Sequence, residues 1–388
     1  MTALSSDAKA FAEVARAFVE EDLIPLERQV EDGLPDDVWK RLVRRASELG
    51  FTGLGFPAEY GGVEAGVTVL CAVMREFGRT SHSFFERLLL SVDRTLVYGS
   101  DEQKRRWLAP AIRGDLVTAF ALSEPQSGSD ARNLKTRAER RGDNWVISGH
   151  KVFTTLAPIA DVVVTVAMSG LDEKGRPEIS VFLVPTDTPG FSCGGLNDKA
   201  GYRGVPQSDT FFDGCMVGPE ALLGRVGQGW EIVGSWTGAV RLVQAAICIG
   251  SAERCLDLAI PYANERTTFG QPLASRQAIQ WMLADSAIDR AAAIQLTVHA
   301  ARLADEGQPY AFEASCAKVF ATEMAPRVID RAQQIFGGYG YMRDYPFDML
   351  QRDVRLARIG GGSTEMMRIL IARDLLAGRR QTSSVPLA

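Results

Sequence analysis

The apolar positions of this chain change period twice along its length. Phe11, Val14, Ala15, Phe18 and Val19 recur at helical spacing, and Pro25 is expected to stop that helix. A second helix is expected to open after the turn at Leu34-Pro35-Asp36-Asp37, with Pro35 presetting φ at the entry. Glycines at Gly50, Gly53, Gly55, Gly61 and Gly62 punctuate the chain before another apolar stretch at 67–77, so residues 1–112 read as an N-terminal helical domain. Short β-rich runs then follow at 116–123, 145–148, 161–168, 179–184 and 209–212, separated by Gly, Pro, Asp and Ser clusters. They predict a small antiparallel β barrel or sandwich over 113–226. After Gly227-Gln228-Gly229 the helical period returns in segments 230–264, 277–306, 310–336 and 364–377, which predicts a C-terminal four-helix bundle over 227–388. Pro326 is expected to kink or break the third segment, and the polar tail 378–388 to fray. The fold class is α+β, mainly α.

Composition narrows the function classes. Of 388 residues, 46% are hydrophobic, enough for a sizeable core, and no run is read as apolar enough over about 18 residues to span a bilayer. The start, Met1 to Asp7, lacks the regions of a signal peptide, so a cytoplasmic location is expected. Cys71, Cys193, Cys215, Cys248, Cys255 and Cys316 are scattered without a C-x-x-C pair, which argues against a disulfide framework and a zinc site. Only 3 histidines are present, and 43 basic against 48 acidic residues give a net charge of −5 without a basic block, so nucleic acid is not the expected partner. A small-molecule ligand is expected instead. No strand-Gly-x-Gly-x-x-Gly-helix unit marks a Rossmann domain.

Four motifs carry the candidate chemistry. They are Phe120-Ala121-Leu122-Ser123-Glu124-Pro125-Gln126-Ser127-Gly128-Ser129-Asp130, Gly149-His150-Lys151-Val152-Phe153-Thr154-Thr155, Glu265-Arg266-Thr267-Thr268-Phe269-Gly270 and Gln334-Ile335-Phe336-Gly337-Gly338-Tyr339-Gly340. Each alone reads as a Ser/Gly/Pro turn or a helix end. Together, with Arg352 to Arg368 and the entry segment Phe51 to Gly62, they resemble the acyl-CoA dehydrogenase family over essentially the whole chain.

The resemblance implies FAD. Phe120, Leu122 and Ser123 would run beside the isoalloxazine, Ser129 would reach the flavin phosphates, and Phe153 and Thr155 would pack and hydrogen-bond at the ring. Arg266, Thr268 and Phe269, with Gln334, Gly337 and Gly338, would contact a flavin held mostly by a neighbouring subunit, which implies a homotetramer or dimer. Ser363 and Glu365 would touch the flavin near the start of the final helix; by itself Glu365 is a first-turn carboxylate favoured by the helix dipole.

The resemblance also exposes a departure. The family reaction removes an α-proton by a glutamate while the β-hydrogen leaves as hydride to the flavin, and the thioester oxygen sits on the backbone N–H of the glutamate's loop. The matching position is Gly361, which keeps the N–H and has no carboxylate. In branches that move the base to the long helix, it precedes an arginine, here Arg241, so the position is Val240, again without a carboxylate. Glu86 and Asp93, placed about two turns apart near one helix face, are candidate substitutes, with Glu231 a further carboxylate on the Arg241 helix; each also reads as a solvated or ion-paired side chain. The Asp93-Arg94 pair also suits a polar acyl tail. The implied substrate is an acyl-CoA or acyl-carrier-protein thioester, the default reaction α,β-dehydrogenation, and the electron acceptor an electron-transfer flavoprotein or O2. The alternatives are non-dehydrogenating flavin chemistry, such as oxygenation or elimination, and a base-less subunit of a hetero-oligomer.

Overall fold

The structure, a computed structural model, describes residues 5–379; the start read for a signal peptide and the tail expected to fray lie largely outside them. The helices are α1 (Ser6–Phe18), α2 (Gln29–Asp32), α3 (Asp36–Glu48), α4 (Val67–Phe77), α5 (His82–Leu88), α6 (Asp101–Gln103), α7 (Ala109–Arg113), α8 (Gly229–Glu265), α9 (Gln277–Asp305), α10 (Ala311–Phe336), α11 (Phe347–Ala357) and α12 (Thr364–Leu376). Between α7 and α8 lie strands β1 (Thr118–Ala121), β2 (Arg137–Arg141), β3 (Asn144–Thr155), β4 (Val162–Leu171), β5 (Pro177–Pro185), β6 (Phe191–Leu196), β7 (Gln207–Val217) and β8 (Leu222–Leu223). Helices, sheet and helices follow in the order expected.

The sheet runs β6-β7-β3-β2-β4-β5-β8, and β1 pairs with β4. That last pair is parallel, Thr118 opposite Val162 through Ala121 opposite Thr165, so the sheet is mixed where the sequence suggested an antiparallel one. The reason lies in β4 and β5, which are apolar on both faces. Val163, Ala167, Phe182 and Val184 turn into the sheet's own core with Trp145 and Phe212. Val162, Val164, Val166, Val181 and Leu183 face the helical layer with Phe56, Leu96, Leu108 and Ile232. A doubly buried strand accepts a parallel neighbour.

Two proline expectations change. α1 ends at Phe18, and the chain passes through a π turn, Val19–Leu23, into a 3₁₀ turn, Ile24–Leu26, that contains Pro25. Helix α10 runs unbroken through Pro326. α8 spans 37 residues, long and apolar enough to pass for a membrane span, yet more than half of its most apolar window is buried in the protein. It is the central core helix. Glycines let α4 and α8 approach: a Cβ on Gly250 would lie 1.8 Å from the Arg75 carbonyl oxygen, and one on Gly78 would lie 2.1 Å from that of Ile247.

Candidate active site

A buried ion pair fixes one wall of the site. Lys151 on β3 is wholly buried and its Nζ donates to the Glu124 carboxylate at 2.7 Å and to the Leu122 carbonyl at 3.0 Å. Glu124 also accepts from the backbone N–H of Lys135 and Thr136 and from Gln126 Nε2. Burial would raise its carboxyl, but these donors hold it at about 2, below the usual carboxylate range. The pair therefore locks the end of β1 to the end of β3. Among the described residues the N–H groups of Leu122 and Ser123 find no acceptor, although both residues are half-buried.

Across from them β3 bulges between Lys151 and Thr154, and Phe153 takes a left-handed φ of 57° that turns its ring outward, 66% exposed. A bulky residue held there is strained. Thr155 Oγ1 accepts from Gln207 Nε2 at 3.0 Å. Phe120 and Leu122 are half-buried, and Ser129 is exposed on the loop that follows. Free backbone donors beside an outward aromatic ring fit the pyrimidine edge and face of an isoalloxazine.

A second face lies at one end of the C-terminal helices. Arg266 ends α8 and leads into a tight hairpin of Thr267–Thr268 and Gln271–Pro272 whose tip, Phe269, has φ 50° and is 97% exposed. Arg276 donates to the Thr268 carbonyl at 2.8 Å and lies near the Phe269 ring. The Arg266 guanidinium lies 6.0 Å from the ring of Tyr339, just beyond Gln334, Gly337 and Gly338, all exposed at the end of α10. Added Cβ atoms on Gly337 and Gly338 would meet nothing within 4 Å. Among the described residues no hydrogen bond or ring contact joins this face to the β-sheet wall, so within one chain the two groups of candidate flavin contacts stay apart.

The glycine loop between α11 and α12 forms the third part. Gly361 has φ 62° and is exposed, and its N–H makes no hydrogen bond among the described residues. A Cβ there would come 3.0 Å from Gln244 Nε2 and 3.1 Å from Val240 Cγ1. The two positions where the family resemblance looks for a base are thus neighbours in space, and the polar group beside them is the Gln244 amide. Gln244 Oε1 is buried without a partner. Lys318 on α10, wholly buried, donates from Nζ to the Gly360 carbonyl at 2.6 Å and to that of Gly362. Burial, then the nearby Arg241 charge, pushes its ammonium down to about 8. Arg241 is buried beside Val240 and donates to Ser315 Oγ at 3.2 Å, facing α10. Ser363 caps α12 by accepting from Met366 N–H, and Glu365 is exposed in the first turn.

The substitute carboxylates stand elsewhere. α5 ends at Leu88, so Glu86 and Asp93 do not share a helix face as the sequence suggested. Asp93 caps the next turn, accepting from Thr95 N–H at 2.8 Å, while Arg94 stacks on Phe56 and Trp236. Glu86 makes no hydrogen bond among the described residues, and burial lifts its carboxyl to about 7 against the opposing pull of Lys199. Among the described residues no hydrogen bond or ion pair joins Glu86 to the glycine loop. Glu231 is exposed at the start of α8.

One further cluster resembles hydrolytic machinery and is not. His82 Nε2 lies 2.8 Å from Ser251 Oγ and Nδ1 3.3 Å from Tyr202 Oη, all buried. Ser251 already donates to the Gly78 carbonyl, and Asp353 accepts from the N–H groups of His82 and Tyr202 rather than from the imidazole. No base is free to activate the serine. Its effect is to tie α5, α8, α11 and the 198–206 loop together.

Sequence reasoning missed Lys318 and Gln244. A lysine or glutamine inside a helical period reads as solvated, and only the fold brings them to the loop. Glu124 and Lys151 had a signal, since each lies inside a motif.

Comparison with known proteins identifies the family and the fold. Family models for the acyl-CoA dehydrogenase N-terminal, middle and C-terminal domains match residues 5–115, 119–215 and 227–376. The chain is 35% identical over 379 residues to the probable acyl-CoA dehydrogenase YngJ of Bacillus subtilis, covering 96% of this chain and 99% of that protein. It superposes on butyryl-CoA dehydrogenase from Megasphaera elsdenii with a TM-score of 0.88 at 30% identity, over 97% of this chain and all of that one (100%). An acyl-CoA dehydrogenase from Bacillus anthracis complexed with FAD gives 0.87 at 28% identity, covering 97% of this chain and 68% of that one. The chain therefore belongs to the acyl-CoA dehydrogenase family of FAD-dependent oxidoreductases.

Proposed function

We propose that this chain catalyses α,β-oxidoreduction of an acyl-CoA thioester, with the thioester oxygen received by the N–H of Gly361. The observation that carries this reading is that free N–H, held in a left-handed turn against the Val240 and Gln244 face of α8. A backbone donor fixed before substrate arrives stabilises the enolate-like charge that develops on the oxygen. Bound FAD supplies the acceptor for the hydride that leaves the β-carbon. Leu122, Ser123, Phe153 and Thr155 are the residues that would hold its ring, and Ser129, Ser363 and Glu365 would add further contacts.

No carboxylate stands at Gly361 or Val240, so in this reading the α-proton passes to solvent water at the exposed glycine loop rather than to an adjacent general base. Such a base typically contributes roughly 10²–10⁴ in rate, and turnover is slowed accordingly. The exposed Phe269, Arg266 and Gly337 face, separate from the chain's own flavin wall, supports a homo-oligomer in which a second copy completes the cofactor site. An electron-transfer flavoprotein or O2 takes the electrons on.

Anaerobic mixing of the FAD-loaded protein with saturated acyl-CoAs tests the reading. Slow bleaching of the flavin with appearance of the 2-enoyl thioester is expected. An intact flavin spectrum with every chain length, from protein that retains FAD, overturns it.

A further inference from the structure

Lys318 is an unusual residue to bury. Its side chain is wholly enclosed, and the groups that act on its charge are Arg241 and Cys248 of α8, with no carboxylate among them. A buried ammonium without a counter-ion is expensive. What it has instead is a pair of backbone carbonyls, those of Gly360 and Gly362, on either side of Gly361.

The consequence follows from peptide geometry. A trans peptide is planar with its C=O and N–H pointing in opposite directions, and there is no cis bond among the described residues. The carbonyl of Gly360 and the N–H of Gly361 belong to one such unit. Drawing that carbonyl onto Lys318 Nζ, toward α10, therefore aims the Gly361 N–H away from α10 and out of the protein's hydrogen-bond network, where it has no acceptor among the described residues. The second bond, to Gly362, holds the other end of the turn. Glycines alone leave this peptide free to flip, since φ values of 62° and 87° at Gly361 and Gly362 are only one of the conformations they adopt easily. We propose that Lys318 is a positioning residue that sets the orientation of the Gly361 peptide and so builds the donor for the thioester oxygen. Its fixed positive charge behind the same peptide polarises the N–H further.

This inference rests on the proposed placement of the thioester oxygen, and the experiment separates the two. The probe is a 2-enoyl-CoA labelled with ¹³C at the carbonyl, which binds the oxidised enzyme without turnover, and the readout is its carbonyl stretch in the infrared. In the wild-type protein the band lies below its position in water. In Lys318→Met, with FAD retained, the band returns toward the free position, while kcat for the acyl-CoA falls about ten- to a hundred-fold with KM changed by less than about three-fold, as expected when a donor is misplaced by about 1 Å. Lys318→Gln, whose amide still donates to one carbonyl, gives an intermediate band and carries the test should Lys318→Met fail to fold. A lowered band that is the same in wild type and folded variants overturns the role of Lys318 and leaves the oxygen on Gly361. A wild-type band at the free position overturns both.

Discussion

At Val240 a single side chain decides whether the α-proton meets a base. Its Cγ1 lies 3.1 Å from where a Cβ on Gly361 would stand, and it occupies ordinary helical backbone. Val240→Glu therefore introduces a carboxylate at the vacant position without backbone strain. The expected result is at least a ~10²-fold faster flavin reduction by acyl-CoA, read by anaerobic stopped flow; an unchanged rate would mean that proton removal does not limit the reaction. Gly361→Ala makes the contrary case. With φ at 62° and Gln244 Nε2 3.0 Å from the new methyl, it is expected to cost about 1–2 kcal/mol of stability, measured by urea unfolding. Glu86 gives a third test at this scale. Burial lifts its carboxyl to about 7 in the fold from an ordinary 4.5, so the folded state holds the proton more tightly, and stability is lost as pH rises from 4.5 through 7. Glu86→Gln is expected to unfold at higher urea than wild type at pH 8 and to match it near pH 4. No change in the difference across that range would show that the carboxyl is not desolvated.

The hairpin after α8 shows what an element adds to a motif. Phe269 is 97% exposed, and the side chain that approaches its ring is that of Arg276. Phe269→Asp should therefore leave the melting of an isolated chain unchanged while lowering both FAD retention and oligomer mass in light scattering, the two losses together marking a shared cofactor site. Such elements were legible where the sequence punctuates them. Gly270 and Pro272 read as stop signals after α8, although the hairpin they sit in was not foreseen, Gly229 and Glu265 bound a helix expected at 230–264, and Pro35 marked the entry of α3. They were illegible where burial is one-sided or sparse. In β2, Arg137–Arg141, Ala138 is the one buried residue, so the strand reads as a charged loop, and the glycines of β6, Phe191–Leu196, erase its alternation. α11 turns only Phe347, Met349, Leu350, Asp353, Val354 and Ala357 inward, and the sequence reading passed over it as an element. The motif residues of the candidate site can be named from the sequence, whereas Lys318 and Gln244 depend on how α8 and α10 cross, which no local pattern records.

Across the whole molecule, the His82 cluster couples the two walls of the site. Asp353 binds the backbone of Tyr202 at 2.7 Å from within α11, the helix that runs into the glycine loop. The 198–206 loop that carries Tyr202 leads directly into Gln207, the partner of Thr155 on the flavin wall. His82 joins this crossing to α8 through Ser251. Burial pushes its imidazole down to about 3, far below the ordinary 6.5, so it stays neutral in the fold and charges readily only when unfolded. The unfolded state then binds the extra proton, and the contribution of His82 is lost as pH falls from about 6.5 toward 3. Asp353 works against it: lifted by burial to about 6 from 3.8, it takes a proton in the fold first and adds stability as pH falls over that interval. Glu86 acts in the same direction, so between neutrality and about pH 4.5 the two carboxyls together outweigh the imidazole and stability rises as pH falls. Below about 3.8 both carboxyls are protonated in both states, while His82, down to about 3, and Glu124, held at about 2, still favour the unfolded chain. A steep acid limb is expected there. His82→Gln should destabilise the protein at pH 7 by breaking the Ser251 and Tyr202 bonds, and that deficit should shrink steadily below pH 6.5 because glutamine does not titrate. Urea midpoints of both proteins from pH 8 to 3 measure the difference, and a deficit constant with pH would show that the imidazole is not held neutral. The same variant should also reduce flavin affinity and acyl-CoA turnover together, since Thr155 and Gly361 depend on the one crossing.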